Sequence, residues 1–88
     1  MQPLDIKDLV VLLRTNAGDS DTYDLDGDVL DVPFSDLNYD SLALLQVTGA
    51  IERDNGVALD EEALEEAETP RQYLDVVNQV LADASRAA

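Results

Sequence analysis

The sequence predicts an all-α fold: a bundle of three main helices and one short helix, with a long first connection. Three observations support this prediction. Apolar residues recur at the spacing of a single helix face in three segments, and no stretch alternates apolar and polar residues as a strand would. Glycine, asparagine and proline stand where helices should stop or start. The length of 88 residues suits a single domain, 1–88, with one core.

The first helix should begin after Asp5, which is a good capping residue, and run to about Asn16. Gly18 lies just beyond its end, where glycine favours termination. The apolar stripe of this helix consists of Ile6, Leu9, Val10 and Leu13. The periodicity then disappears over 19–38, which predicts a loop of roughly twenty residues, longer than compact domains usually carry. The apolar residues that should anchor this loop to the core are Val29, Leu30, Val32, Phe34 and Leu37.

The second helix should begin at Asp40 or Ser41 and end near Asn55, because Asn55-Gly56 supplies a left-handed stop. At about 100° per residue, the buried face is predicted to consist of Leu44, Val47, Thr48 and Ile51. The opposite face carries Leu42, Gln46, Gly49 and Arg53. Leu42 is therefore an apolar residue that points outward, one position after a serine at the helix start. A glycine inside a helix costs about 0.5–1 kcal/mol relative to alanine, and a close approach by a partner is one explanation for Gly49.

Two further helices complete the predicted bundle. Residues 59–67 favour a short acidic helical turn. Thr69-Pro70 presents an N-cap followed by proline at the first helical position, so the last helix should run from there to about Ser85. Its apolar stripe consists of Tyr73, Leu74, Val77, Val80 and Leu81.

The composition excludes several kinds of function. The chain has no cysteine and no histidine, so a disulfide, a thiolate nucleophile, a Ser-His-Asp hydrolase and a His-ligated metal site are impossible. The formal net charge of -15 disfavours nucleic acid and anionic lipid and favours enzymes with basic docking patches, unless the acidic surface only keeps the protein soluble. We see neither a signal peptide nor an apolar run of membrane length, so we expect a cytoplasmic protein without a membrane partner.

The first loop is rich in aspartate, which suggests a calcium site. The candidate ligands are Asp19, Asp21, Asp24, Asp26 and Asp28. Their spacing disagrees with an EF-hand, because taking Gly27 as its glycine places Thr22 at the first ligand position and Pro33 at the last. We therefore predict no metal site and interpret these aspartates as turn formers.

Ser41 has two interpretations. In the first, Asp40 or Ser41 is an N-cap and nothing more, a role that both residue types fill often. In the second, the hydroxyl of Ser41 stands clear at the start of the helix and accepts a phosphate. The N-terminal amides and the positive end of the helix dipole favour an anionic phosphodiester at that point.

The segment 37–56 carries the most information about function. It reads Tyr39-Asp40-Ser41-Leu42 after the long loop, continues with Ala43-Leu44-Leu45 and ends at Asn55-Gly56-Val57. This arrangement resembles the phosphopantetheine attachment region of acyl carrier proteins. Together with Thr69-Pro70-Arg71 and LDVVN at 74–78, it makes the chain most similar to the discrete carriers of bacterial aromatic (type II) polyketide synthases, and next to fatty-acid carriers. The fold that this implies is the four-helix acyl-carrier-like bundle.

The resemblance implies a carrier without catalytic activity of its own, of the kind used in antibiotic biosynthesis. Ser41 would receive 4'-phosphopantetheine from coenzyme A through a separate transferase. The terminal thiol of the arm would hold malonyl and growing polyketide groups as thioesters, which explains how a chain without cysteine handles sulfur chemistry. The implied partners are a phosphopantetheinyl transferase, a ketosynthase with its chain-length factor, a malonyl transferase, a ketoreductase and other tailoring enzymes. We expect a monomer.

The resemblance also implies a docking surface and an acyl cleft. Asp40 would flank the attachment point, and Leu42 would be the outward contact for the transferase and the ketosynthase. The docking surface would continue through Gln46, where many relatives carry Glu, and through Glu52 and Arg53. The cleft between the second and third helices would be lined by Leu45, Ala63 and Leu64. For these three the alternative is plain core packing. The alternatives for the whole chain are a fatty-acid synthase carrier and a non-covalent acidic helical adaptor.

Overall fold

The computed structural model describes residues 3–18 and 24–87, and every regular element within them is an α-helix. The helices are α1 Ile6–Ala17, α2 Ser41–Asn55, α3 Glu61–Glu66 and α4 Pro70–Ala87. The predicted all-α bundle of three main helices and one short helix is confirmed, with α4 extending slightly beyond the expected Ser85. Over the described ranges, no helix is both long enough and apolar enough to cross a membrane.

The ends of the helices follow the capping signals of the sequence. Asp5 and Asp8 cap α1 reciprocally: each side chain accepts from the backbone N–H of the other, at 2.9 Å to Asp5 and 3.1 Å to Asp8. Gly56 ends α2 with φ 64°, in the left-handed region that glycine adopts readily. At the start of α4, the Thr69 hydroxyl accepts from the N–H of Gln72 at 3.3 Å. Local capping chemistry therefore sets the helix boundaries.

A hydrophobic core joins the three long helices with the first loop. Its fully buried helical members are Leu9, Leu13, Val47, Ile51, Tyr73, Val77 and Leu81. All of them lie on the faces that the apolar spacing predicted. Burying a side chain of this size contributes about 1.5–3 kcal/mol relative to leaving it exposed, so these stripes hold the bundle together. Leu44 is only half-buried, because it faces a cleft between α2 and α3.

The first loop packs on the core through buried side chains along its described part. These are Leu25, Val29, Phe34, Leu37 and Tyr39. Leu30 and Val32, which were also predicted as anchors, pack at the edge of the core. Leu25 and Tyr39 were not predicted as anchors of the loop. The ring of Phe34 meets that of Tyr73 edge-on, with 5.9 Å between centroids, so the loop contacts α4 directly.

Hydrogen bonds fasten the same loop to the start of α4. The N–H of Phe34 donates to the carbonyl of Glu68 at 2.8 Å, and the N–H of Arg71 donates to the carbonyl of Leu30 at 2.9 Å. The guanidinium of Arg71 also donates twice to the carboxylate of Asp31, at 2.7 and 3.1 Å, and this bond lowers the pKa of Asp31. Because the ion pair is exposed, the backbone bonds and the buried side chains position the loop more than the charges do.

The described aspartates of the loop form turns. The side chain of Asp24 accepts from the N–H of Asp26 at 3.0 Å, and its carbonyl accepts from the N–H of Gly27 at 3.0 Å. Asp26 also pairs with Arg14 at 3.1 Å. Within 3–18 and 24–87, no group of three or more acidic side chains could hold a metal ion. Three residues of the calcium pattern, Asp19, Asp21 and Thr22, lie outside the described residues.

Candidate functional site

Ser41 occupies the first position of α2, directly after the residue that caps the helix. The cap is Asp40, whose Oδ1 accepts from the N–H of Ala43 at 2.9 Å. The Ser41 side chain is exposed, and its hydroxyl has no hydrogen-bond partner among the residues that the structure describes. The structure thus gives the capping role to Asp40 and leaves the Ser41 hydroxyl available.

The amides and the dipole at the start of α2 favour a phosphate on Ser41. The first turn of α2 contains no acidic side chain, so no carboxylate within that turn opposes the positive end of the helix dipole. Asp40 satisfies one amide of the turn, and the others remain to favour an anion at the helix start. A phosphodiester on the Ser41 oxygen would therefore lie where the helix favours negative charge.

The backbone before Ser41 is held in place by buried groups. Asn38 has φ 65°, a left-handed conformation that asparagine tolerates better than most residues. Tyr39 follows it and is buried; its N–H donates to the carbonyl of Phe34 at 3.0 Å, and its hydroxyl donates to the carbonyl of Gly18 at 2.7 Å. These contacts tie the end of the loop to the end of α1. The start of α2 is consequently fixed relative to the core.

The exposed face of α2 carries most of the candidate docking residues. Leu42 is 62% exposed, the highest exposure of any large apolar side chain in the described ranges. Gln46 and Arg53 are exposed on the same face, and Arg53 lies 4.0 Å from the carboxylate of Asp54. The helix phase predicted this grouping, and the structure places these residues on one face as expected.

Glu52 differs from the other candidate docking residues. Its side chain is half-buried, and Oε2 accepts from the N–H of Leu59 at 2.9 Å. This hydrogen bond fastens the loop between α2 and α3. The carboxylate therefore has a structural contact that helix phase alone could not indicate, because the partner lies outside the helix.

A cleft of about 230 Å³ opens beside Ser41, between α2 and α3. Its apolar walls are Leu44, Leu45 and Leu64, and the exposed Glu61 and Glu65 stand at its edge. Ser41 itself lines the cleft. Leu45 is 48% exposed, because it borders the open space instead of packing in the core.

The structure places Leu45 and Leu64 in the lining of this cleft but not Ala63. Glu61, Leu64 and Glu65 share one face of α3, because residues three and four positions apart are neighbours on a helix. At about 100° per residue, Ala63 falls on the other side. The expectation that Ala63 lines the cleft is therefore wrong.

Two hydroxyls at the base of the cleft were not identified as site residues from the sequence. Thr48 and Tyr73 were placed only in apolar stripes, yet both line the cleft. The hydroxyl of Thr48 donates to the carbonyl of Leu44 at 2.8 Å and lies 2.7 Å from the hydroxyl oxygen of Tyr73. Burial raises the pKa of Tyr73, which keeps this group protonated. In the sequence, these two residues could have been noticed because each carries a hydroxyl within an otherwise apolar helix stripe.

Comparisons with known proteins agree with this geometry. Residues 17–77 match the family described as phosphopantetheine attachment site. The oxytetracycline polyketide synthase acyl carrier protein of Streptomyces rimosus is 50% identical over 88 residues, which span 100% of this chain and 93% of the relative. The chain belongs to the acyl carrier proteins of polyketide synthases. It therefore has the domain to which 4'-phosphopantetheine attaches, and its family consists of carriers and not of catalysts.

Solved carrier proteins share the fold of this carrier. The holo form of the actinorhodin acyl carrier protein from Streptomyces coelicolor is 40% identical with a TM-score of 0.78, covering 94% of this chain and 96% of that one. The same protein bearing a 3,5-dioxohexyl triketide mimic is also 40% identical with a TM-score of 0.83, again over 94% and 96% of the two chains. The family resemblance and the acyl-carrier fold predicted from the sequence are confirmed.

The cap of α2 can be tested separately from the charge of Asp40. Asp40→Ala should lower the free energy of unfolding by about 1 kcal/mol, because the N–H of Ala43 loses its acceptor. Asp40→Asn keeps an accepting oxygen and should cost clearly less. Urea unfolding of both variants measures the difference. Equal stability of Asp40→Ala and the unaltered carrier would contradict the assigned cap.

Gly49 should be replaceable without steric conflict. A Cβ at this position would meet no atom within 4 Å outside its own helix turn and its chain neighbours. Gly49→Ala is therefore expected to raise the free energy of unfolding by about 0.5–1 kcal/mol, since alanine loses less conformational freedom in a helix. Thermal or urea unfolding checks this, and a loss of stability would show it wrong. A slower transferase reaction in the more stable variant would indicate that a partner approaches the backbone here.

Proposed function

We propose that this carrier tethers malonyl and growing polyketide intermediates as thioesters on a 4'-phosphopantetheine arm attached to the Ser41 oxygen, and presents them to partner enzymes as a single monomeric domain. The observation that supports this most is the exposed hydroxyl of Ser41, which has no partner among the described residues and stands at the positive end of α2. Polyketide cargo is supported by the relatives, whose names identify them as polyketide synthase carriers.

Attachment of the arm requires a separate enzyme. The Ser41 oxygen attacks the phosphorus that links pantetheine to the nucleotide of coenzyme A, a new phosphorus–oxygen ester bond forms, and the nucleotide leaves. The hydroxyl proton must pass to a base. This chain has no histidine, and the adjacent Asp40 carboxylate is already bound to the N–H of Ala43. A phosphopantetheinyl transferase therefore supplies the base and the positive charge that the reaction needs.

The docking surface that we propose consists of Asp40, Leu42, Gln46 and Arg53, around the start and the exposed face of α2. Leu42 provides an apolar anchor next to the attachment point, and a few side chains that become buried on binding contribute most of the energy of a protein interface. Glu52 acts indirectly, by holding the loop between α2 and α3. The partners are the transferase, a ketosynthase with its chain-length factor, a malonyl transferase, and a ketoreductase and other tailoring enzymes.

The charge of this carrier suits brief encounters with several enzymes. A net charge of -15 raises association rates with basic surfaces, and the effect is screened by salt. Loading should therefore slow as ionic strength rises, mainly through a higher KM. Electrostatic steering raises the association rate more than it raises the affinity. The carrier can therefore bind one enzyme quickly and still leave it for the next.

A malonyl transfer reaction tests the proposed function. The holo carrier should gain one malonyl group when incubated with malonyl-coenzyme A and a malonyl transferase, and neutral hydroxylamine should remove that group because it cleaves thioesters. The carrier without the arm serves as the matched control and should gain nothing. A holo carrier that is never acylated by a transferase that acylates a related carrier would contradict the proposal.

A further inference from the structure

The base of the cleft is polar although its walls are apolar. Thr48 and Tyr73 are 3% and 0% exposed, and their oxygens lie 2.7 Å apart. Across the described ranges, Thr48 is the one buried residue of the polar or charged types. An aliphatic and a phenyl side chain would fill the same positions without burying two hydroxyls, which is costly unless the hydroxyls are hydrogen-bonded. The pair lies at the base of a cleft that Ser41 also lines. The two hydroxyls are therefore placed to bind a group attached to Ser41.

The hydrogen bonds of the pair can rearrange when an acceptor enters the cleft. Either oxygen of the pair can be the donor. When Tyr73 donates to Thr48, Thr48 donates to the carbonyl of Leu44 at 2.8 Å. When Thr48 donates to Tyr73 instead, the hydroxyl hydrogen of Tyr73 is free to point into the cleft, and the Leu44 carbonyl keeps the backbone bond of its helix. The base can thus offer a donor to an incoming acceptor.

The position of the pair matches a chain that folds back from Ser41. Thr48 follows Ser41 by about two turns of α2, or about 10 Å along the helix axis. Tyr73 is fully buried in the empty cleft, so an incoming chain must part the walls to reach it. Leu45 is the wall side chain with room to move, because it is 48% exposed. At the edge, Glu61 and Glu65 disfavour a cargo that ends in a carboxylate.

We propose that the Tyr73 hydroxyl, oriented by Thr48, donates a hydrogen bond to a carbonyl oxygen of a neutral β-keto chain held in this cleft, so that the cleft prefers oxo chains to saturated chains of equal length. This inference rests on the proposed tethering at Ser41. Beyond its thioester carbonyl, a saturated acyl chain entering the cleft gains only apolar contact, whereas an oxo chain must satisfy the carbonyl oxygens along its length, and the pair provides the donor.

The test compares two cargoes on three carriers. The unaltered carrier, Tyr73→Phe and Tyr39→Phe are each loaded at Ser41 with a 3,5-dioxohexyl chain and, separately, with a hexanoyl chain. Tyr39→Phe is the matched control, because Tyr39 also lines the cleft but its hydroxyl donates to the carbonyl of Gly18. Intact mass confirms loading. NMR contacts between cargo protons and the methyl groups of Leu45 and Leu64 report the fraction of chains in the cleft.

Tyr73→Phe should lower the ratio of cleft-bound to free dioxohexyl chains about fivefold, the effect of one neutral hydrogen bond, and leave this ratio unchanged for the hexanoyl chain. Tyr39→Phe should preserve the preference for the oxo chain. Equal losses for both cargoes, or no loss for either, would overturn the inference and leave the pair as a structural link between α2 and α4.

Should Tyr73→Phe not fold, variants of Thr48 provide the test. Thr48→Ser should keep the preference for the oxo chain, and Thr48→Val should weaken it. The intact mass reports loading independently of the NMR contacts. A carrier that never loads at Ser41 would contradict the proposed function and not this inference alone.

Discussion

Replacing Ser41 with alanine is expected to abolish polyketide formation while the protein stays folded. The side chain is exposed and makes no hydrogen bond within the described residues, and Asp40 supplies the cap, so the free energy of unfolding should change by less than about 0.5 kcal/mol. The arm, however, loses its attachment atom. Product formation in a reconstituted synthase measures the first effect, and urea unfolding measures the second.

Ser35→Ala is the control for this experiment, because Ser35 is an exposed serine in the loop before α2. It should leave both product formation and stability nearly unchanged. A synthase that works normally with Ser41→Ala would favour the non-covalent adaptor, since an adaptor needs only the surface of the protein. Complete loss of product with unaltered stability is the outcome that a covalent carrier requires.

Leu42→Ala is expected to have the second-largest effect. Truncating this outward leucine should slow loading by the transferase about tenfold, because an apolar anchor at the centre of an interface is typically worth more than about 1 kcal/mol. Stability should change little, since the side chain is 62% exposed in the free protein. Steady-state kinetics with carrier as the varied substrate measure the effect.

Val11→Ala provides a matched comparison for Leu42. Val11 is 61% exposed, nearly the same as Leu42, but it lies on α1 and does not line the cleft beside Ser41. Its truncation should leave the loading rate unchanged. If both variants slowed loading equally, the position of Leu42 next to the attachment point would have no special role in docking.

The parts of this molecule that could be predicted from its sequence are those set by local chemistry. Asp5, Asp40 and Gly56 mark helix ends because capping depends on a few adjacent residues. The outward direction of Leu42 follows from helix phase in the same way. The start of α2, and with it the candidate attachment residue, could therefore be located without a structure.

The parts that escaped prediction depend on contacts between distant segments. The hydrogen bond that the N–H of Leu59 donates to Glu52 spans a loop. The cleft lining depends on the orientation of α3, which is too short to have a strong periodic signal. The Thr48–Tyr73 pair joins residues 25 apart in sequence. Sequence patterns show that such side chains face inward, but not what they meet there.

Mapping the modified residue tests the central claim most directly. The carrier is incubated with coenzyme A, Mg²⁺ and a phosphopantetheinyl transferase, digested, and analysed by tandem mass spectrometry. The other serines of the chain, Ser20, Ser35 and Ser85, are internal controls. We expect one phosphopantetheine group, on the peptide that contains Ser41 and on that residue alone. An arm on another serine, or no arm under conditions that fully load a related carrier, would contradict this account.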